Sequence, residues 1–369
     1  MINPVSSSDE WSPLREVIIG VGGGQQSYDY DLSFVLFFWD NLKHMRIQGK
    51  DAGSLQLGDS LPIFEKAADE LAEDIAGFVA TLRKRGVVVH RPAPVIRDHM
   101  VASPHWSSTG YSALNVRDQA IIIDQTIVET APHVRGRLFE NDFLKPVFQQ
   151  YFEVGSRWIS MPRPALARGS LDASYFDGDP QVAKLIGDDT AEQIAGLNFE
   201  IVIDGANCLR FGDDILVNVA NRNHELGLAW LRREFPNKRF HRLHAMADNH
   251  IDSIVAPLRE GTVVLRSETY RSALPKFFED WEIVIPPADT LDDATGADGI
   301  GAMPFLASHY IDLNVLSLDP QTVVVNSESP RLCDFISGLG FEVLPVRHRH
   351  RRYFAGGFHC FTLDTVRRV

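Results

Sequence analysis

The chain has 369 residues, of which 44% are hydrophobic and 23% are charged, as in ordinary globular proteins with ample length for a buried core. The formal net charge of -13 argues against a nucleic-acid partner, because such proteins need a basic face to displace counterions. No segment has the apolar length of a membrane helix, and the N-terminal sequence does not resemble a secretory signal. We therefore expect a cytoplasmic protein whose partners are small molecules, with no nucleic acid and no membrane.

The chain contains three cysteines, Cys208, Cys333 and Cys360. Their odd number and scattered spacing predict neither a disulfide framework nor a zinc site, so reduced thiols are expected. Most free cysteines are small apolar core residues. Cys360 follows His359 in the segment GGFHCFTLD, which leaves a chemical role open as well.

A helix followed by a short apolar strand recurs five times along the chain. In the first unit, apolar residues recur at helical spacing over IFEKAADELAEDIAGFVATLRK, with Ser60 as a cap and Gly86 as the stop. In the last unit, Ser329 and Pro330 are typical of a cap and a first helical residue. The other predicted helices have the sequences FLKPVFQQYF, ELGLAWLRREF and ALPKFFEDW.

Paired apolar runs between these units are typical of β-hairpins. Four pairs are evident: DQAIIIDQTIVETA, EIVIDGANCLRFGDDILVNVA, HIDSIVAPLREGTVVLRS and YIDLNVLSLDPQTVVVNS. A fifth hairpin forms only if FHCFTLDTV near the C-terminus pairs with REVIIGV near the N-terminus. This pairing would close a ring of five hairpin-helix-strand modules and remove exposed sheet edges, which favours it.

Polar residues stand at the start of the first strand in every predicted hairpin, where apolar residues would pack better. They are Arg117 with Asp118, Asp204, His250 with Asp252, Asp312, and His359 with Cys360. Asp and His are depleted in strand interiors, so any one of them could be a simple turn or cap residue. Their recurrence at equivalent places predicts a shared polar pocket at the centre of the ring.

These segments resemble the amidinotransferases, which include glycine amidinotransferase and the inosamine-phosphate enzymes. The resemblance extends in the family's order from DEWSPLREVIIGV through STGYSALNVRDQAIII, IDGANCLRFGDD and NHIDS to GGFHCFTLD. It implies one domain over residues 1–369 with the pentein fold, a fivefold pseudosymmetric α/β propeller. It further implies a transferase that uses neither a cofactor nor a metal, and it leaves a homodimer open.

In that family a cysteine, a histidine and an aspartate carry out the chemistry, and the matching residues are Cys360, His250 and Asp204. A guanidinium carbon is a poor electrophile, so a strong nucleophile such as a thiolate is needed. The resemblance implies that Cys360 attacks the guanidinium of L-arginine while His250 protonates the departing ornithine. An acceptor amine then takes the amidino group from the covalent thiouronium, and Asp204 orients His250.

The resemblance also points to five substrate contacts. Asp118 and Asp252 match carboxylates that grip the guanidinium nitrogens. Arg271 lies in a segment that departs from the family pattern near the expected substrate-carboxylate contact, and His359 precedes the nucleophile. Asp312 stands where glycine-using relatives carry serine. We therefore expect an acceptor other than glycine, such as lysine, a diamine or an amino-cyclitol.

Two other functions compete with amidino transfer. A guanidine hydrolase of the same fold, such as an arginine deiminase-like enzyme, would use water and give citrulline. The combination of STGYSA…RD and GGFHCFTLD favours transfer over hydrolysis, and the complete Cys-His-Asp set disfavours a binding protein that has lost catalysis. Asn207 departs from the family's D-A-A-D run. The basic run RHRHRR, residues 347–352, is interpreted as a solvated loop or as the source of an arginine for a substrate carboxylate.

Overall fold

The computed structural model describes residues 3–24, 27–42, 46–47, 50–51, 55–95, 99–174, 180–188, 196, 198–244, 250–291 and 306–367. Over this part of the chain the fold is α/β and contains five three-stranded sheets. In every one of them the middle strand pairs antiparallel with one neighbour and parallel with the other. We call each sheet, with the segments that connect its strands, a module.

Each module has three strands, and its middle strand is named second. The strands are Thr362–Arg367, Leu14–Ile19 and Val88–His90 in the first module; Ala120–Ile123, Thr126–Glu129 and Arg157–Ser160 in the second; Cys208–Phe211, Asp214–Val219 and Arg239–His244 in the third; Val255–Arg259, Thr262–Leu265 and Glu282–Val284 in the fourth; and Leu316–Asp319, Thr322–Asn326 and Glu342–Val346 in the fifth. The β-branched and leucine-rich middle strands are buried, as strands covered on both faces must be.

The terminal strands pair as the sequence predicts. Leu14–Ile19 runs antiparallel to Thr362–Arg367 and parallel to Val88–His90. The first module is therefore built from both ends of the described chain. Cys360, just before the last strand, is fixed to a sheet that also contains residues from the N-terminal region.

An α-helix connects the middle strand to the third strand in four modules: Glu65–Lys84, Lys145–Glu153, Arg222–Glu234 and Pro330–Gly338. The first of these ends where the sequence predicts, since Gly86 follows it with φ +80°. Its predicted cap is wrong, because Ser60 lies in the strand Ser60–Pro62 and Phe64 precedes the helix. Ser329 and Pro330 begin the last helix as predicted.

The helix predicted over ALPKFFEDW in the fourth module is wrong. Two short 3-10 segments, Glu268–Ala273 and Lys276–Phe278, replace it. Pro275 separates them, because proline lacks an amide hydrogen and disfavours helical backbone at the residue before it. Leu274 is accordingly extended, with φ -69° and ψ 139°.

The remaining elements lie in the segments that connect the strands of the five sheets. The helices are Leu32–Leu42, Val116–Gln119 and Pro180–Asp188; the small strands are Ser27–Asp29 with Ser60–Pro62, Arg46–Ile47 with Lys50–Asp51, and Met100–Ala102 with Ser107–Thr109; and the other 3-10 segments are Arg135–Arg137, Glu140–Phe143, Arg168–Ser170, Gly205–Asn207, Ala288–Leu291 and His309–Leu313. Among the described helices, none has the length and apolarity that crossing a membrane requires.

The predicted pocket residues do not begin the strands; they lie a few residues earlier, in turns or single helical turns. Asp118 lies in Val116–Gln119, Asp204 precedes Gly205–Asn207, Asp312 lies in His309–Leu313, and Asp252 and Cys360 lie in turns. This position explains why polar residues are tolerated, because they precede the strands and do not take part in the sheets, where Asp and His are disfavoured.

Candidate active site

Cys360 is held in a buried turn and is 2% exposed. Its backbone N–H donates to Asn314 Oδ1 at 2.8 Å, and its Sγ donates to Asp252 Oδ2 at 3.4 Å. Gly357 is required for this close approach, because a Cβ there would lie 2.6 Å from Asn314 Cβ. Burial, Asp252 and Asp118 together raise the pKa of the Cys360 thiol well above its usual range. The thiol is therefore protonated at neutral pH unless a cation binds beside it.

His250 lies between two buried carboxylates. Its Nε2 is 3.0 Å from Asp204 Oδ2, and its Nδ1 is 3.6 Å from Asp118 Oδ1. The ring of Phe37 packs edge-on against it with a centroid distance of 5.3 Å. Burial acts to lower the pKa of His250, but Asp118 and Asp204 outweigh burial and raise it to about 9. At neutral pH the ring is an imidazolium, ready to donate a proton.

Cys360, His250 and Asp118 converge. One atom each from Asp118, His250 and Cys360 lie within 4.8 Å of one another. This spacing would also suit a metal ion, whose binding would displace the protons of His250 and Cys360. The arrangement suits nucleophilic attack coupled to proton transfer.

Asp118 and Asp252 each have one carboxylate oxygen at this place that accepts no hydrogen bond from the described residues. Arg137 Nη1 donates to Asp118 Oδ2 at 2.6 Å, and His359 Nδ1 contacts Asp252 Oδ2 at 2.8 Å. The Oδ1 atom of each aspartate is buried and makes no hydrogen bond with any residue that the structure describes. Buried acceptors are nearly always satisfied, so this pair suits a ligand rich in N–H donors, such as a guanidinium.

His359 lies at the site, but both of its ring nitrogens already contact carboxylates. Its Nε2 is 3.2 Å from Glu10 Oε2, opposite the contact with Asp252. Burial and nearby Arg117 act to lower the pKa of His359, but its bonds to Asp252 and Glu10 outweigh them and raise it. The geometry therefore supports a role in holding Asp252, and direct contact with substrate stays a prediction.

A buried ionic network adjoins the site through the contact between Glu10 and His359. It was not predicted from the sequence. Arg210 contacts Glu10 and Asp364, each at 2.7 Å, and Arg117 contacts Asp364 at 2.7 Å. These arginines outweigh burial and hold the pKa of Glu10 well below its usual range. A signal was present, because Arg210 interrupts the apolar run of a buried strand and Arg117 directly precedes Asp118.

Asp204 is positioned by Asn207, the residue that departs from the family pattern. Asn207 Oδ1 accepts the Asp204 N–H at 3.0 Å, and its Nδ2 donates to Asn218 O at 3.2 Å. A carboxylate could accept the first bond but could not donate the second. The amide at position 207 is therefore suited to fixing the turn that carries Asp204.

Asp312 is buried, but its carboxylate already has a cationic partner. Arg351 Nη2 donates to Asp312 Oδ2 at 2.9 Å, and Asn326 Nδ2 donates to Asp312 Oδ1 at 3.2 Å. Arg351 is 3% exposed, so the solvated-loop interpretation of the basic run is wrong at this residue. A role of Asp312 in acceptor choice stays a prediction, and it would act through this ion pair and not through a free carboxylate.

The structure does not bring Arg271 to the cluster formed by Asp118, His250 and Cys360. Its side chain is 44% exposed in the fourth module and pairs with Glu268 at 2.5 Å. The other contact of its guanidinium is the carbonyl of Ile283 at 3.5 Å. Among the described residues, no contact joins Arg271 to Cys360 or His250.

Comparison with curated proteins and with solved structures shows what the chain is similar to. No protein-family model matches the chain. It is 32% identical to inosamine-phosphate amidinotransferase 1 of Streptomyces griseus over 98% of this chain and 97% of that one. It is 28% identical to the L-arginine:L-lysine amidinotransferase of Pseudomonas savastanoi pv. phaseolicola, covering 99% and 95%.

Among solved structures, the inosamine-phosphate amidinotransferase of Streptomyces griseus superposes on the chain with a TM-score of 0.80. The superposition covers 100% of this chain and 98% of that chain, at 29% sequence identity. The similarity in sequence and in fold therefore extends over essentially the whole chain, including every turn that carries a residue of the cluster. The chain belongs to the amidinotransferase family.

Proposed function

We propose that the chain transfers the amidino group of L-arginine to an acceptor amine through a covalent thiouronium on Cys360. The observation that carries this proposal is the convergence of Cys360, His250 and Asp118 within 4.8 Å. The Oδ1 atoms of Asp118 and Asp252, which accept no hydrogen bond from the described residues, support it, since they offer a guanidinium two buried acceptors. Relatives named for arginine and lysine and for inosamine phosphate support the same reaction type.

Arginine binding would prepare the nucleophile. The guanidinium is cationic at any physiological pH, and Asp118 and Asp252 would hold its nitrogens through charge-assisted hydrogen bonds. A positive charge beside Cys360 offsets the two carboxylates that raise the pKa of the thiol. The thiol then loses its proton to solvent with the substrate already in place.

In the first half-reaction the Cys360 thiolate forms a bond to the central guanidinium carbon. His250 gives its proton to the departing nitrogen, the C–N bond breaks, and ornithine leaves. The amidino group stays on sulfur as a cationic thiouronium. Asp204, bonded to His250 Nε2 at 3.0 Å, keeps the ring oriented while its charge changes.

In the second half-reaction a neutral acceptor amine attacks the same carbon. The neutral His250 takes a proton from the attacking nitrogen, the C–S bond breaks, and the thiolate is regenerated. Covering of His250 by Phe37 supports transfer over hydrolysis, because it limits the water that could compete with the amine.

For the acceptor we propose lysine, a diamine or an amino-cyclitol, and not glycine. The names of the relatives support amines of these kinds. Asp312, in place of the serine of glycine-using relatives, supports the exclusion of glycine, and Arg351 holds this aspartate in its buried position.

Product analysis tests the proposal. The protein is incubated with arginine and, separately, with glycine, lysine, a diamine and an amino-cyclitol, and ornithine and new guanidines are measured by mass spectrometry. The proposal expects ornithine together with a guanidino product from at least one acceptor other than glycine. Citrulline in place of ornithine would establish hydrolysis, and a preference for glycine over all other amines would overturn the acceptor assignment.

We also propose that the five modules form a single domain over residues 1–369, arranged as a fivefold propeller around the site. The common strand order of the five sheets and the pairing of the terminal strands support this arrangement. The contribution of site residues from all five pre-strand turns supports it as well.

A further inference from the structure

A second histidine lies beside the aspartate that orients His250. His133 Nδ1 is 3.6 Å from Asp204 Oδ2, the same oxygen that contacts His250 Nε2 at 3.0 Å. His133 comes from the second module, between the strand Thr126–Glu129 and the segment Arg135–Arg137. Neither the sequence patterns nor the proposed chemistry gives this residue a role.

The proton positions on His133 follow from its other neighbour, His224. The Ala220 N–H donates to His224 Nδ1 at 3.0 Å, so this nitrogen carries a lone pair. Burial lowers the pKa of His224 well below its usual range, so the ring is neutral and its single proton is on Nε2. His224 Nε2 contacts His133 Nε2 and therefore donates to it. Because His133 Nε2 accepts this bond, the ring proton of His133 is on Nδ1, which faces Asp204.

Packing against Phe37 holds the imidazoles of His133 and His250 next to Asp204. The ring of Phe37 lies 5.7 Å from the ring of His133 and 5.3 Å from that of His250. His133 and His224 stack edge to face with a centroid distance of 4.5 Å. His133 Nδ1 makes no hydrogen bond with any residue that the structure describes, and Asp204 Oδ2 lies 3.6 Å from it, at the distance of an ionic contact.

We propose that His133 is a positioning residue whose Nδ1–H attracts Asp204 Oδ2 across their 3.6 Å contact and so holds it toward His250 Nε2, in a tautomer that His224 fixes. The proposal rests on the amidino-transfer function and deepens its account of the acid and base. Burial acts to raise the pKa of Asp204, but the facing groups of His133 and His250 outweigh it and keep the pKa well below its usual range. Asp204 thus stays anionic while His250 gains and loses its proton.

Loss of the His133 N–H should change the pKa of His250 in a predictable direction. The groups that face His250 are Asp204, Asp118, Asp252 and Cys360, and Phe37 covers it from the helix Leu32–Leu42. A donor on Asp204 Oδ2 draws off part of the negative charge that the carboxylate offers to His250. Removing the donor leaves more of that charge on His250, so its pKa rises.

The test compares variants of the full chain in the arginine half-reaction. His133→Phe keeps an aromatic ring against Phe37 but removes the donor, whereas His133→Asn keeps an N–H near the position of Nδ1. For His133→Phe we expect kcat to fall about 10-fold with the KM for arginine changed by less than about twofold. The pH limb of kcat/KM should move upward by about half a unit. His133→Asn should recover most of the lost kcat.

Two control comparisons isolate the effect. His241→Phe removes a histidine from a histidine–aspartate contact of 2.7 Å at Asp214, away from the site, and should leave kcat and the pH limb unchanged. His224→Gln can still donate to His133 and should be more active than His224→Leu. This second pair tests the tautomer if His133→Phe does not fold, as judged by circular dichroism.

The outcomes are distinct. Wild-type kcat and an unmoved pH limb in His133→Phe would overturn the proposal, as would equal losses in His133→Phe and His133→Asn with no change in the limb, which would indicate packing alone. Equal activity of His224→Gln and His224→Leu would overturn the tautomer assignment. If the wild-type protein forms no ornithine from arginine, the proposed function itself fails, which is a separate result.

Discussion

At the scale of residues, the site combines a thiol and an imidazole whose proton affinities are both raised by neighbouring carboxylates. Asp118 contributes to both effects, since it lies near Cys360 and 3.6 Å from His250 Nδ1. In the proposed reaction the attacking state of this pair holds one proton, as a thiolate beside an imidazolium. At neutral pH the free protein holds two, one on each group.

This difference in proton number predicts the pH profile. One proton must leave before attack, so kcat/KM for arginine should rise with pH and level off near the His250 pKa of about 9. Above that pH a thiol with a neutral imidazole has the same proton number as the reactive state, which explains the plateau. Steady-state rates of ornithine release from pH 6 to 10 provide the measurement. A profile that is flat or falling between pH 7 and 9 would show that the proton assignment is wrong.

The carboxylate grip is a second prediction at this scale. In a Cys360→Ala background, which prevents turnover, Asp118→Asn or Asp252→Asn should weaken arginine binding about 10- to 100-fold, because each removes a charged acceptor. Isothermal titration calorimetry measures this directly. Asp142→Asn is a matched control, since that carboxylate is 48% exposed and pairs with Lys145. Wild-type affinity in both site variants would remove these aspartates from the substrate contacts.

At the scale of elements, the turns before the strands set the geometry, and glycines make the closest of them achievable. Gly357 lies against Asn314, whose side chain accepts the Cys360 N–H at 2.8 Å. Gly356 lies equally close to Asn115, since a Cβ there would be 2.2 Å from its Oδ1. The glycine pair of the segment GGFHC is thus explained by space rather than by unusual backbone angles.

Gly357→Ala should therefore displace the turn and lower kcat by at least about 10-fold, with a smaller effect on folding, since a shift of about 1 Å in a reacting group is enough for such a loss. Gly77→Ala is the control, because a Cβ at this helical position meets nothing within 4 Å. Its activity should be unchanged and its stability should rise by about 0.5–1 kcal/mol. Single-turnover ornithine release and thermal unfolding measure the two effects. Full activity in Gly357→Ala would contradict the close-packed turn.

At the scale of the whole molecule, the buried ionic network joins segments that are far apart in the sequence. Arg210 contacts both Glu10 and Asp364, so it ties the third module to the N-terminal segment and to the last strand. Arg210→Met should destabilise the protein by about 3–5 kcal/mol, because two buried carboxylates lose a partner. Arg239→Met removes an ion pair with Asp214 in which the arginine side chain is 61% exposed, so its effect on stability should be far smaller. Urea unfolding of both variants checks this, and equal midpoints would contradict it.

Much of the architecture could be predicted from local patterns. Hairpins, four helices and the pairing of the terminal strands follow from periodicity, caps and stops, and Cys360, His250 and Asp204 follow from motifs. The helix predicted in the fourth module was wrong because the helical spacing of its apolar residues was given more weight than the helix-breaking effect of Pro275. His133 and Glu10 could not be found in the same way, because their partners lie in other modules and leave no spacing signal along the chain.

The central claim is a covalent amidino group on Cys360, and its direct measurement is mass spectrometry of the acid-quenched protein after incubation with arginine alone. The account predicts one amidino adduct, carried by the peptide that contains Cys360, formed together with one equivalent of ornithine and lost when an acceptor amine is added. Cys208→Ala and Cys333→Ala should form it, and Cys360→Ala should form neither adduct nor ornithine. Ornithine released at the wild-type rate by Cys360→Ala, or an adduct on another cysteine, would contradict the account.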